Sequence, residues 1–188
     1  MSRPITKKSD VIDAALALFM RKGIKATTTR DIAHRAGISE GTIYRHFHSK
    51  DDLAERVFQE NLDYFYDFLK GYLKNSKGPV EMLHAFIKGF FEFSRREQTR
   101  YRFIIAAHQT ELRKMSRKKM KPKQMLTKIL RLGQKQGIFR KMDLSLAGAM
   151  MMGTIMQTIF YMKSGRINVS YDTVIGEVIK ASLKMMQP

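Results

Sequence analysis

Apolar residues return every three or four positions through most of this chain, and the runs are cut by glycine, proline or a short capping residue. Ile12, Ala15, Leu16 and Phe19 have the i, i+3, i+4, i+7 spacing of a buried face and predict a helix from about Ser9 to Lys22, ended by Gly23. Thr28 with Asp31 reads as a capping-box-like start, Ile32, Ala33 and Ala36 as the apolar face behind it, and Gly37 as the stop. Ser39 caps a short helix from Glu40 to about His46. Ser49 with Asp52 opens a long one reaching Lys74, with Leu53, Val57, Asn61, Phe65, Phe68 and Tyr72 along one side. After Gly78-Pro79, helical periods cover about Val80 to Arg95, Thr99 to Lys114, Pro122 to Gly137, Asp143 to Lys163 and Asp172 to Met186. No alternating strand pattern competes, so the expected fold class is all-α, with about nine helices.

Two parts of this pattern say more than the fold class. Thr27 to Lys50 spells a helix, a turn of three or four residues and a second helix, the arrangement that lays its second helix in the major groove of DNA. The domain boundary then falls near residue 50. Leu144 to Tyr161 is apolar nearly all round, with Met150, Met151, Met152 and Met156, and so needs cover on more than one side. A two-fold four-helix bundle would supply it, through Met150, Met151, Ile155 and Ile159 and, on the last helix, Val174, Val178 and Leu183. The competing reading is burial within one chain.

Charge changes the picture by its placement. The net charge of +18 points to an anionic partner, yet Arg113 to Lys141 alone holds twelve Lys and Arg and no acid, against ten basic and four acidic residues in the first 50. Most of the excess therefore lies outside the helix-turn-helix. The segment Arg113 to Lys123 has three readings: a solvated face, a seat for the phosphates of a coenzyme-A-type ligand, or additional DNA contacts. With no cysteine, disulfides and thiolate metal sites are excluded. The five histidines are too few and scattered to imply a metal, and no cofactor is implied. The N-terminus lacks the apolar run of a signal peptide, and no stretch reaches the roughly 18 unbroken apolar residues of a membrane helix, so a cytoplasmic protein with no membrane partner is expected. An enzyme is a poor reading, because no nucleophile-base-acid set or phosphate loop stands out.

Residues 10 to 53 resemble the TetR family of bacterial transcriptional repressors at Ala15, Phe19, Gly23, Thr27, Thr28, Ile32, Ala33, Ala36, Gly37, Ser39, Gly41, Thr42, Tyr44, Phe47, Ser49, Lys50 and Leu53, without a gap. The resemblance implies a DNA-binding head over residues 1–50 and a ligand-binding and dimerisation domain over 51–188. It also implies a homodimer on a palindromic operator in double-stranded DNA. Carried across position by position, it sets Arg30, Glu40, Gly41, Thr42 and Arg45 toward bases and Thr28, Thr29, Tyr44, His46 and Lys50 toward phosphates, with Ser39 at the capped start of the reading helix. The chemistry suits these roles: an arginine can grip guanine bidentately, Gly41 permits close approach, and the Thr42 methyl can touch thymine. Glu40 is the odd residue. It either accepts from a cytosine amine or tilts into solvent to complement the helix dipole.

His108 to Arg113 and Gly153-Thr154-Ile155 look like segments of acyl-CoA-responsive members that control fatty-acid degradation. An effector that is small and largely apolar, or acyl-CoA-like, would enter an aromatic and methionine-rich interior of Phe65, Phe68, Phe86, Phe90, Phe103, Met125, Met152 and Met156. The reading is a ligand-released repressor; its rival keeps the DNA head but places control in a protein partner or in DNA architecture.

Overall fold

The computed structural model describes residues 8–109 and 121–187, which hold nine α-helices and no strand. They are α1 (Lys8–Ala26), α2 (Thr29–Ala36), α3 (Glu40–His46), α4 (Lys50–Leu73), α5 (Pro79–Arg96), α6 (Gln98–Gln109), α7 (Lys121–Lys135), α8 (Leu144–Lys163) and α9 (Tyr171–Met186). Each expected element is found within a few residues of its expected bounds. The punctuation works as the residue types require. α1 is broken at Gly23, whose φ of 81° suits glycine alone, and α2 ends on Gly37 at φ 67° in the left-handed region. The expected continuation of α6 to Lys114 and the basic residues Arg113 to Met120 lie outside the described residues.

The described chain packs as two compact units. The first comprises α1, α2, α3, α4 as far as Asp63, and α6. Its core is Val11, Ile12, Ala15, Leu16 and Phe19 of α1 against Ile32, Ala33, Ile43, Leu53, Val57 and Phe58. Burying one such leucine or phenylalanine contributes about 1.5–3 kcal/mol, enough in sum to give three short helices a core. Phe103 of α6 belongs here, stacked 6.3 Å from Phe19 and edge-on to Phe58 at 6.4 Å. It was expected in an effector-binding interior; the structure instead spends it on the core of the head. Asn61, fully buried, donates to Val57 O at 2.7 Å and accepts from Arg100 at 2.8 Å, so α4 and α6 are fastened by a satisfied polar pair.

The second unit holds the rest of α4 from Tyr64, with α5, α7, α8 and α9. α5 is its central helix and packs on α7, α8 and α9. Glu92 is 5% exposed. Burial acts to raise its carboxyl, but bonds from Arg95 and Arg96, both at 2.8 Å, outweigh this and hold it below the ordinary value. α8 buries one narrow stripe, Ala147, Met151, Ile155 and Ile159, and leaves Leu146, Met150, Gly153, Gln157 and Phe160 exposed on another side. By length and mean hydropathy alone α8 could cross a membrane, with 22% of its most apolar window buried, but Ser145, Thr154, Gln157 and Thr158 interrupt it.

One close approach in this unit depends on a glycine. A Cβ on Gly133 of α7 would sit 2.0 Å from the ring of Phe139, which is buried. Gly133→Ala is expected to cost about 1–3 kcal/mol of overpacking, read as a lower midpoint in urea unfolding with the slope unchanged.

Candidate nucleic-acid interface

Three residues, Gly37, Ile38 and Ser39, separate α2 from α3, and each of the two helices begins on a side-chain cap. At the start of α2, Thr28 Oγ1 accepts from Asp31 N at 3.1 Å while Asp31 Oδ2 accepts from Thr28 N at 2.8 Å, the reciprocal capping box that the spacing predicts. The same oxygen takes Thr28 Oγ1 at 2.7 Å and Lys22 Nζ at 2.6 Å, tying α1 to α2. The Lys22 and Thr28 donors hold the Asp31 carboxyl far below the usual carboxylate range. At the start of α3, Ser39 Oγ accepts from Thr42 N at 3.2 Å. At the start of α4, Ser49 Oγ accepts from Asp52 N at 3.0 Å, and Asp52 Oδ2 from His48 N at 2.9 Å.

These caps turn a defined set of side chains outward. Gly41, Tyr44, Arg45 and His46 are exposed and Thr42 partly so, while Ile43 on the opposite side is buried. Ser39, Thr42 and Arg45 form a polar row, with 2.9 Å between the two hydroxyls and Arg45 donating to Thr42 at 3.3 Å. A Cβ added at Gly41 would meet only Ser39 Oγ, at 3.9 Å, so nothing in the fold requires glycine there. Arg30 is exposed on α2. Lys50 Nζ donates to the carbonyl of Lys25 at 3.2 Å, closing the end of α1.

Two residues depart from expectation. Thr29, expected at a phosphate, is buried, and its hydroxyl donates to the Glu40 carboxylate and lies 3.3 Å from Tyr44 Oη. Glu40 therefore neither reaches out to a base nor tilts into solvent: it folds back to fasten α3 to α2. Thr28, expected both as a cap and at a phosphate, is exposed, with its hydroxyl in the capping box. The pairing of Thr29 with Glu40, eleven residues on, left no periodic signal in the sequence.

In the second unit, Phe65, Phe68, Phe86 and Phe90 do come together, with Phe93 as an unforeseen member. Ring centroids lie 4.4 Å apart for Phe65 and Phe93, 5.0 Å for Phe65 and Phe90, and 5.4 Å for Phe68 and Phe93. The rings pack on one another. Met125 is buried, and Met152 and Met156 are half-buried. A hollow of about 680 Å³ in this unit is lined instead by Arg131, Gln134, Lys135, Lys141 and Met142. Of the residues expected to meet a second chain, Met151, Ile155, Ile159, Val174 and Val178 are already buried by their own chain, Leu183 is half-buried, and Met150 is exposed. The face of α8 that lacks cover is the one bearing Leu146, Met150, Gly153, Gln157 and Phe160.

Two short helices joined by a capped three-residue turn, with a polar and aromatic edge presented from the second, define a helix-turn-helix DNA-binding protein. Residues 11–57 match the model of the bacterial regulatory proteins of the tetR family. Residues 11–57 thus carry the DNA-binding domain that the TetR family of regulators shares. The chain is 35% identical over 91 residues to the HTH-type transcriptional repressor KstR2 of Mycolicibacterium smegmatis, a match spanning 48% of this chain and 44% of that repressor. It thus spans under half the length of that relative. The fatty acid metabolism regulator protein of Bacillus subtilis is 27% identical over 85% of this chain and 84% of its own length. The crystal structure of the transcriptional regulator FadR from Bacillus subtilis, in complex with stearoyl-CoA, shares the fold with a TM-score of 0.79 at 23% identity, over 96% of this chain and all of that one.

Two outcomes test this geometry. Because the Asp31 carboxyl is depressed in the folded state, the stability it contributes is present above the ordinary value of 3.8 and lost as pH falls below it. Asp31→Asn should therefore lower the melting temperature at pH 7, with the gap to the parent protein closing below about pH 4. Gly41→Ala should leave thermal stability unchanged or slightly raised, since alanine favours a helix, while weakening binding to the cognate DNA site in a mobility-shift titration. Equal losses in both measurements would mean the glycine serves the fold.

Proposed function

We propose that this chain is a homodimeric repressor that holds a palindromic operator and releases it when a largely apolar effector of the acyl-CoA kind binds the helical half. The observation that carries the reading is the exposed edge of α3, Gly41, Thr42, Tyr44 and Arg45, held against α2 by the Ser39 cap and the Thr29–Glu40 bond. Arg30, Thr42 and Arg45 are the base-reading residues in this account. Tyr44, His46 and Lys50 take phosphates, which fix register without carrying sequence. In a two-fold dimer the half-sites lie roughly 34–36 Å apart, or a multiple of that. The uncovered face of α8 is the surface through which two copies would meet.

The effector class draws support from the similarity to the Bacillus subtilis fatty acid metabolism regulator over most of both chains, and from the phenylalanine cluster of the second unit. A second reading, control by a protein partner, draws on the way those rings fill their own interior.

The test is to select bound duplexes from a random pool and then challenge the best site with a long-chain acyl-CoA and, separately, with free coenzyme A. Release by the acyl-CoA alone is expected. Persistence of specific binding in both would favour the partner reading. On the selected site, Arg45→Ala should cost about 1–3 kcal/mol of discrimination and relax one position, whereas equal loss on random DNA would remove it from the base-reading set. Sedimentation should give a dimer that Met150→Glu with Phe160→Glu converts to monomers.

A further inference from the structure

A hollow of about 660 Å³ opens beside α2, lined by Leu18 and Arg21 of α1 and by Arg30, Asp31, His34 and Arg35 of α2. Its charge is lopsided. The one acid in it is already engaged, since Asp31 Oδ2 takes Lys22 Nζ at 2.6 Å and both Thr28 donors. That leaves three exposed arginines, none of which pairs with a carboxylate among the described residues. Where an acid lies within reach an arginine of this chain takes it, as Arg56 does with Glu60 and Arg95 and Arg96 do with Glu92. Guanidinium groups gathered without a counter-charge repel one another unless an anion lies between them, and their planar forks match phosphate oxygens.

The hollow also adjoins the reading surface. Arg30 lines it, and His34 lies one turn further along the same side of α2. We propose that Arg21, His34 and Arg35 seat backbone phosphates of operator DNA beyond those reached by α3, so that the footprint extends past the base pairs that are read. This rests on the reading of the chain as an operator-binding regulator. The occupant is nucleic-acid backbone because the site offers donors and positive charge with one apolar side chain, Leu18, at its wall. Such contacts add affinity and salt dependence but no sequence preference.

The selected palindrome is prepared in two lengths, one trimmed to the half-sites and one with ten random base pairs on either side, and binding is titrated across salt concentrations. The parent protein should bind the long duplex more tightly. In Arg21→Ala/Arg35→Ala that advantage should disappear and the slope of log K against log salt should fall by about 2, one unit per phosphate lost. Arg21→Lys/Arg35→Lys should restore most of both, while Arg45→Ala should leave the advantage of the long duplex intact. Both arginines are exposed helix positions, and matching melting temperatures will exclude misfolding as the cause. Equal affinity of the parent for the two lengths, or an unchanged slope in the double alanine variant, would overturn the inference while leaving the operator reading in place. Failure of the parent to select any site would overturn both.

Discussion

The geometry of the reading head depends on the carboxylate of Asp31. One of its oxygens receives Lys22 from α1 and both donors of Thr28 at the start of α2. A single residue thereby satisfies a helix terminus that would otherwise leave amides bare and also sets the spacing of two helices. The Thr29–Glu40 bond then passes that placement on to α3. Neither link has to be strong by itself. What matters is that α3 has few positions it can take once both are made, and its outward residues are aimed by bonds on its other side.

Much of this was legible from residue order because it is local. A capping box spans four residues, a left-handed glycine one, and an apolar face two turns, so Thr28, Gly37, Ser39 and Asp143 announce their helix ends without reference to the rest of the fold. Where contacts depend on how helices cross, the order of residues is silent. Nothing at Glu40 says that Thr29 will lie within reach, and nothing at Phe103 says that it will stack on Phe19 instead of joining Phe65 and Phe90. The case of α8 is different again. A helix apolar nearly all round has no phase, so periodicity could not tell the stripe of Met151, Ile155 and Ile159, which its own chain covers, from that of Leu146, Met150 and Phe160, which it leaves bare.

Charge illustrates the same limit. By count, the basic excess lies mostly between Arg113 and Lys141. In space, Arg21, Arg30 and Arg35, residues separated by up to fourteen positions, line one hollow through the packing of α1 on α2. Composition cannot see which cations share one concavity and which have an acid beside them, so a count of charges does not say where an anion would sit.

The fastening of α3 has a kinetic consequence. A helix already capped at Ser39 and pinned through Glu40 has little left to order when it meets a duplex, so encounter is limited by diffusion and steered by the charge around it, not by a folding step. On the proposed reading, ionic strength would act chiefly on how fast complexes form, and any contacts made by Thr42 and Arg45 on how long they last.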